Sequence, residues 1–180
     1  MRIIAGSARS LRLVVPKGAE VRPTSDFVRE SLFAGLADRT LDCRFADLYA
    51  GSGSVGLEAL SRGAASCVFV ERDPRCVQAL HTNLAQTRLS DRARVVRGDC
   101  RKLLPALWAE SPWDIVFVDP PYREDSTAII QQLQTLAAAD RVSCLVVLQC
   151  ERGSEPDLPA ARQKRYGGTV LLYYECGPEP

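Results

Sequence analysis

The strongest constraint on the fold is an alternation running from about residue 44 to about residue 150. "RFADLY", "SCVFVE", "ARVVRG", "DIVFVD" and "SCLVVLQC" are apolar runs of strand length. Between them lie "SVGLEALSRG", "DPRCVQALHTNLAQ", "CRKLLPALWAE" and "STAIIQQLQTLAAA", which read as amphipathic helices. Uniformly apolar strands are buried on both faces, and a strand–helix–strand rhythm gives parallel strands joined by crossover helices. The expected class is therefore α/β, a mostly parallel sheet with helices on both faces. Near the end, "ARQKRYGGTVLLYYE" sets Gly167 and Gly168 between two more strand-like runs. That pattern predicts an antiparallel hairpin and brings the sheet to seven strands.

Ahead of this core, "RIIAGS" and "LRLVVP" flank a short polar turn and predict a β-hairpin or a pair of short strands. In "RPTSDFVRESLFAGLAD", Thr24, Ser25 and Asp26 are candidate helix caps, and Val28, Leu32 and Leu36 form a helical apolar stripe. Residues 1–40 are thus expected to form an N-terminal extension, and residues 41–180 the main domain. The first 25 residues carry Arg2, Arg9, Arg12, Lys17 and Arg22 against Glu20 alone. Such a local excess suits contact with phosphates, although arginines also decorate ordinary solvated surfaces.

Composition excludes several classes. With 180 residues, 46% hydrophobic and 25% charged, the chain suits one globular domain. No apolar run approaches the length of a membrane span, and "MRIIAGSARS" lacks the apolar core of a secretory signal, so a cytoplasmic protein is expected. Seven cysteines without C-x-x-C spacing and a single histidine, His81, argue for reduced core thiols and no metal site.

In an open α/β sheet, ligands sit at the carboxyl ends of the strands, and the candidate chemistry gathers there. "GSGSVG" follows the first sheet strand, Glu71 the second, Asp99 the third and "DPPY" the fourth. Gly51, Gly53 and Gly56 match G-x-G-x-x-G, with Glu71 twenty residues after Gly51. That arrangement serves any adenosine-bearing cofactor, dinucleotides included. Asp47, four residues before Gly51, favours a cofactor with an ammonium and a sulfonium over one with a pyrophosphate, which it would repel. Asp99 can accept from an adenine amino group. Turn stabilisation competes for Asp47, a helix cap for Asp99 and the helix dipole for Glu71.

Residues Asp119-Pro120-Pro121-Tyr122 end the apolar run "DIVFV". Two prolines stop a strand and fix a rigid turn. The acid can accept one N–H of a planar amine and the Pro120 carbonyl another, while the tyrosine offers a stacking face. "DLYAGSGSVGLEAL", "FVERD", "RGD" and "DPPY", in that order, resemble the class I S-adenosylmethionine-dependent methyltransferases, with their Rossmann-like fold. With "RIIAGSARSLRL", "RPTSDFVRESLF", "GLEALSRGAASCVFVE" and "RYGGTVLLYY", nearly the whole chain is similar to the RsmD family, bacterial enzymes that methylate N2 of one guanine in 16S ribosomal RNA. Gly168 departs from the family pattern, which has an acid after "RYG".

The resemblance implies S-adenosyl-L-methionine as cofactor. Ala50, Gly51, Ser52 and Gly53 would pass its methionine end, with Asp47 near the ammonium directly or through water. Glu71 would hold the ribose hydroxyls, and Asp99 and the Cys100 amide the adenine, with Arg72 beside them. Asp119, Pro120, Pro121 and Tyr122 would form the catalytic clamp, Asp119 also bordering the cofactor. Arg2, Arg9, Arg12 and Lys17 would bind RNA, and Arg22 and Thr24 would close over the pocket. The implied partner is 16S ribosomal RNA within the small subunit or an assembly intermediate, met by a monomer. A DNA amino-methyltransferase would share "DPPY" but needs room for target recognition. A nicotinamide dehydrogenase leaves "DPPY" unexplained. A non-catalytic RNA-binding protein of the same fold explains the basic arm but not the complete set of cofactor residues.

Overall fold

The computed structural model describes residues 1–16, 24–121 and 126–178. Seven strands form one sheet: β1 (Arg44–Leu48), β2 (Ser66–Glu71), β3 (Ala93–Arg97), β4 (Ile115–Val118), β5 (Cys144–Glu151), β6 (Arg162–Tyr166) and β7 (Thr169–Cys176). Five α-helices accompany them among the described residues: α1 (Asp26–Leu36), α2 (Ser54–Ser61), α3 (Pro74–Thr87), α4 (Cys100–Glu110) and α5 (Ser126–Asp140). The strand order is β3-β2-β1-β4-β5-β7-β6. The first five strands are parallel, and β7 runs antiparallel to both neighbours. This is the expected seven-stranded, Rossmann-like α/β architecture, with the order reversing between β1 and β4.

Strand residues alternate between two cores, as the two-residue side-chain period requires. Phe45, Phe69, Phe117 and Val147 face one side, packed with Leu32 of α1, Leu57 and Leu60 of α2, and Leu80 and Leu84 of α3. Ala46, Val70, Val116 and Val146 face the other, packed with Leu104 and Trp108 of α4 and Ile130 and Leu133 of α5. The stripe Val28, Leu32 and Leu36 is buried, and Ser25 is the residue that caps α1, accepting from the Val28 N–H at 3.2 Å. All seven cysteines are free thiols, six of them buried.

The N-terminal arm pairs as a minimal hairpin. Its two halves do pair antiparallel, through the Arg2–Arg12 bridge and backbone hydrogen bonds from Ile3 to Leu11 and from Leu13 to Met1, but the ladder is too short to form two regular strands. The reason is that α2 takes the backbone donors a longer ladder would use. Glu58 accepts from the N–H groups of Ile4 and Ala5 at 2.8 and 3.0 Å. Ser61 accepts from Ser7 and Ala8 and donates to the Ala5 carbonyl. Ile3, Ala8 and Leu13 join the core that contains α1 and α2, so the arm packs on the main sheet layer. Among the described residues, no helix is long and apolar enough to cross a membrane.

Candidate active site

The carboxyl ends of β1 to β4 bring the acids to one edge. Asp47 shares its face of β1 with Phe45, and Glu71 shares its face of β2 with Phe69. Asp119 stands one residue beyond β4. The loop between β1 and α2 is tightly wound: the Tyr49 and Ala50 N–H groups both donate to the Val70 carbonyl. Gly53 has φ +87, and a Cβ there would lie 2.2 Å from Leu80 Cδ1. At Gly56 a Cβ would lie 2.3 Å from Phe69 Cε1, so this glycine allows α2 to press onto β2.

Asp47 is buried in this turn, and its Oδ2 accepts from the Gly56 N–H at 2.8 Å. α2 has Gly53 at its cap position, with no side-chain cap of its own. A carboxylate from the neighbouring strand therefore satisfies a first-turn donor and meets the positive end of the helix. Burial pushes the Asp47 carboxyl up to about 7, against the lowering pull of the Gly56 hydrogen bond, and Glu71 adds to the rise. The helix end that would cradle a pyrophosphate thus already holds an acid.

Glu71 spans two segments: one oxygen accepts from the Gly51 N–H and the other from the Asp73 N–H, both at 2.7 Å. Asp73 caps α3. Asp99 caps α4, accepting from the Arg101 N–H at 3.0 Å, and Cys100 is buried in the first turn. The structural meaning weighed for the acids is therefore present in each case. Each holds backbone, and each sits at the ligand edge. Ala50 and Ser52 are buried in the loop, and Arg72 is exposed after β2.

Asp119 is half-buried and its Oδ2 accepts from Gln149 Nε2 at 2.9 Å. Pro120 is half-buried and Pro121 exposed. Tyr122, Lys17 and Arg22 lie outside the described residues. Arg2, Arg9 and Arg12 are exposed and form no ion pair among the described residues. Thr24 is buried and its carbonyl accepts from Arg29 Nη1 at 3.5 Å, so it belongs to the base of α1 and not to the exposed arm.

Sequence reasoning missed three polar residues. Asn83 of α3, fully buried, accepts from the Val14 N–H at 2.7 Å. Its amide donates to the Val14 carbonyl at 3.0 Å and the Ser52 carbonyl at 2.9 Å, tying the arm to the glycine loop. Glu58 fastens the arm, and Gln149 holds Asp119. Their signal was a polar residue on an otherwise buried face.

The chain's similarities agree with this geometry. The family model described as conserved hypothetical protein 95 matches residues 1–175. "Ribosomal RNA small subunit methyltransferase D" of Escherichia coli K12 is 40% identical over 183 residues, covering 97% of this chain and 89% of that protein. A solved structure of a hypothetical protein from Thermus thermophilus superposes with a TM-score of 0.83 at 35% identity, over 97% and 99% of the two chains. An RNA methyltransferase of Salinibacter ruber, solved with S-adenosyl-L-homocysteine, shares the fold with a TM-score of 0.67 at 20% identity, over 88% and 96% of the two chains. The chain belongs to the family of conserved hypothetical protein 95, which is the RsmD family, and has the class I methyltransferase fold.

Proposed function

We propose that the protein transfers a methyl group from S-adenosyl-L-methionine to the exocyclic N2 of a guanine in 16S ribosomal RNA, acting in the cytoplasm as a monomer on the small subunit or an assembly intermediate. The observation that carries this reading is the carboxyl edge itself. A carboxylate held by Gln149 follows β4 in "DPPY", beside a glycine loop whose helix N-terminus is already occupied by Asp47. The donor set fits the cofactor: carboxylates for an ammonium and ribose hydroxyls, with an acid already at the α2 N-terminus where a dinucleotide would set its pyrophosphate. Asp47, Ala50, Gly51, Ser52 and Gly53 would line the methionine end, Glu71 the ribose, and Asp99, Cys100 and Arg72 the adenine. The name of the Escherichia coli relative supports ribosomal RNA as the substrate class.

The cofactor supplies a methyl group on a sulfonium, already electrophilic. The chain's task is to present a poor nucleophile, since the guanine amino lone pair is delocalised into the ring. Asp119 accepts one amine hydrogen and the Pro120 carbonyl the other. With both held, the nitrogen pyramidalises and its lone pair turns away from the clamp; positioning of this kind is worth up to ~7–11 kcal/mol in favourable systems. Tyr122 stacks on the extruded base, contributing roughly 1–3 kcal/mol. Asp119 takes the proton once the methylated nitrogen has become acidic.

The test is transfer from labelled S-adenosyl-L-methionine to small subunits lacking the modification, with Asp119→Ala alongside and nucleoside analysis of the product. N2-methylguanosine formed by the parent, and lost in a folded variant that still binds cofactor, is the expected result. Label on another base, on DNA or on protein would overturn the substrate assignment. Cofactor binding without transfer to any ribosomal particle would favour a binding-only protein.

A further inference from the structure

Strand β5 is buried from Cys144 to Leu148 and then carries Gln149 at the carboxyl edge. The β4–β5 register pairs Val118 with Leu148, so the next step sets Asp119 beside Gln149. There Gln149 Nε2 donates to Asp119 Oδ2 at 2.9 Å. The other end of the same amide, Oε1, is buried and has no partner among the described residues. Reversing the amide would set an acceptor against a carboxylate oxygen, so the hydrogen bond dictates its orientation. A buried amide with an unpaired oxygen costs stability that a methionine of similar length would not. The gain lies at the carboxylate.

We propose that Gln149 is a positioning residue for methyl transfer. Its amide fixes the rotamer and plane of the Asp119 carboxylate, and with them the direction from which Asp119 accepts the amine hydrogen. This inference rests on the methyl-transfer reading above. The carboxylate follows the last residue of β4 and precedes two prolines, so its backbone is stiff but its χ angles are not fixed by strand packing. A donor on the neighbouring strand supplies a directional constraint. Gln149 itself touches neither reacting atom; it acts through Asp119.

The experiment compares the parent, Gln149→Met, Asp119→Asn and the double variant. Each is read by single-turnover transfer of labelled methyl to small subunits lacking the modification, by calorimetric binding of S-adenosyl-L-methionine, and by thermal unfolding. Gln149→Met should slow the transfer step by about 10- to 100-fold, the scale of a misplaced reacting group. Cofactor affinity and the KM for the particle should stay within about twofold, because the lost contact reaches neither ligand directly. The double variant should be no slower than Asp119→Asn alone, since without the carboxylate the amide has nothing to orient. A full rate for folded Gln149→Met, or a double variant slowed by the product of the two single effects, would overturn the proposal. Gln149→Leu, with the same expectations, replaces the methionine variant if that one unfolds. No transfer by the parent, or a full rate for Asp119→Asn, instead sinks the clamp reading, a pattern distinct from failure at Gln149 alone.

Discussion

Replacing Glu58 with alanine should loosen the arm and lower stability together. The carboxylate is wholly buried and accepts from Ile4 N, Ala5 N and Arg62 Nε at 2.8, 3.0 and 2.7 Å. Its Oε2 also lies 3.5 Å from Arg29 Nε, close enough for an ion pair but not aimed for a hydrogen bond. Arg29 is itself fully buried, so Glu58→Ala removes its buried counter-charge and leaves half-exposed Asp26 to balance it. Removing one partner of such a pair costs about 3–5 kcal/mol. The two arm amides add less, because a lifted arm can return them to water. At roughly 2–4 °C per kcal/mol for a chain of this size, the melting temperature should fall by about 6–20 °C. Calorimetric melting measures that fall, and hydrogen exchange at Ile4 and Ala5 should accelerate in the same variant. Asp26, 3.1 Å from Arg29 but half-exposed, is the only other acid paired with that guanidinium among the described residues. A melting temperature within about 2 °C of the parent's, a fall of less than about 1 kcal/mol, would mean that Asp26 and the Arg2 and Thr24 carbonyls suffice for Arg29. That result, with exchange at Ile4 and Ala5 also unchanged, would refute the claim that Glu58 fastens the arm.

Changing Arg9 and Arg12 together to alanine should weaken RNA binding and reduce its log–log salt slope by about 2, with cofactor affinity unchanged by calorimetry. Gly56→Ala should cost about 1–3 kcal/mol in denaturant unfolding, since the new Cβ meets the Phe69 ring at 2.3 Å. The Asp47 carboxyl, raised to about 7 from 3.8 unfolded, binds its proton more tightly when folded, so its contribution is full below about pH 4 and is lost as pH rises toward 7. Relative to Asp47→Asn, the parent should therefore lose stability over that window by up to roughly 1.4 kcal/mol per pH unit. Asn83→Ala should raise the cofactor Kd and accelerate exchange at Val14 together, because one amide holds both the arm and the Ser52 carbonyl.

The centre of the sheet was legible in the sequence because its strands advertise their burial as apolar runs. β1, β2 and β4 are apolar on both faces, and the two cores account for this by packing helices on each side. The hairpin β6–β7 was legible from Gly167, which turns the chain at φ +60. The arm was only partly so. "RIIAGS" carries strand-forming residues, and local propensity cannot foresee that Glu58, more than fifty positions away, would take the Ile4 and Ala5 donors. Pairing was cut short by a tertiary acceptor. Asn83 and Gln149 were hidden for the same reason: their partners, Val14, Ser52 and Asp119, lie on other elements.

The acids present the opposite case: the sequence offered a structural and a ligand-binding reading, and the structural one is visible in the hydrogen bonds each acid makes. Asp47 holds the first turn of α2, Glu71 bridges the glycine loop and the start of α3, and Asp99 caps α4. A carboxylate offers about four acceptor sites, so one or two backbone bonds do not exhaust it. They fix its orientation instead. Each acid is thereby held at the sheet edge by the loop it stabilises, and a ligand entering there meets acceptors that need not be ordered on binding. The same logic extends to Asp119. Its carboxylate, too, accepts from a donor supplied by the fold, the side-chain amide of Gln149 on the next strand. The site is a row of carboxylates, each oriented by an N–H donor drawn from the fold itself.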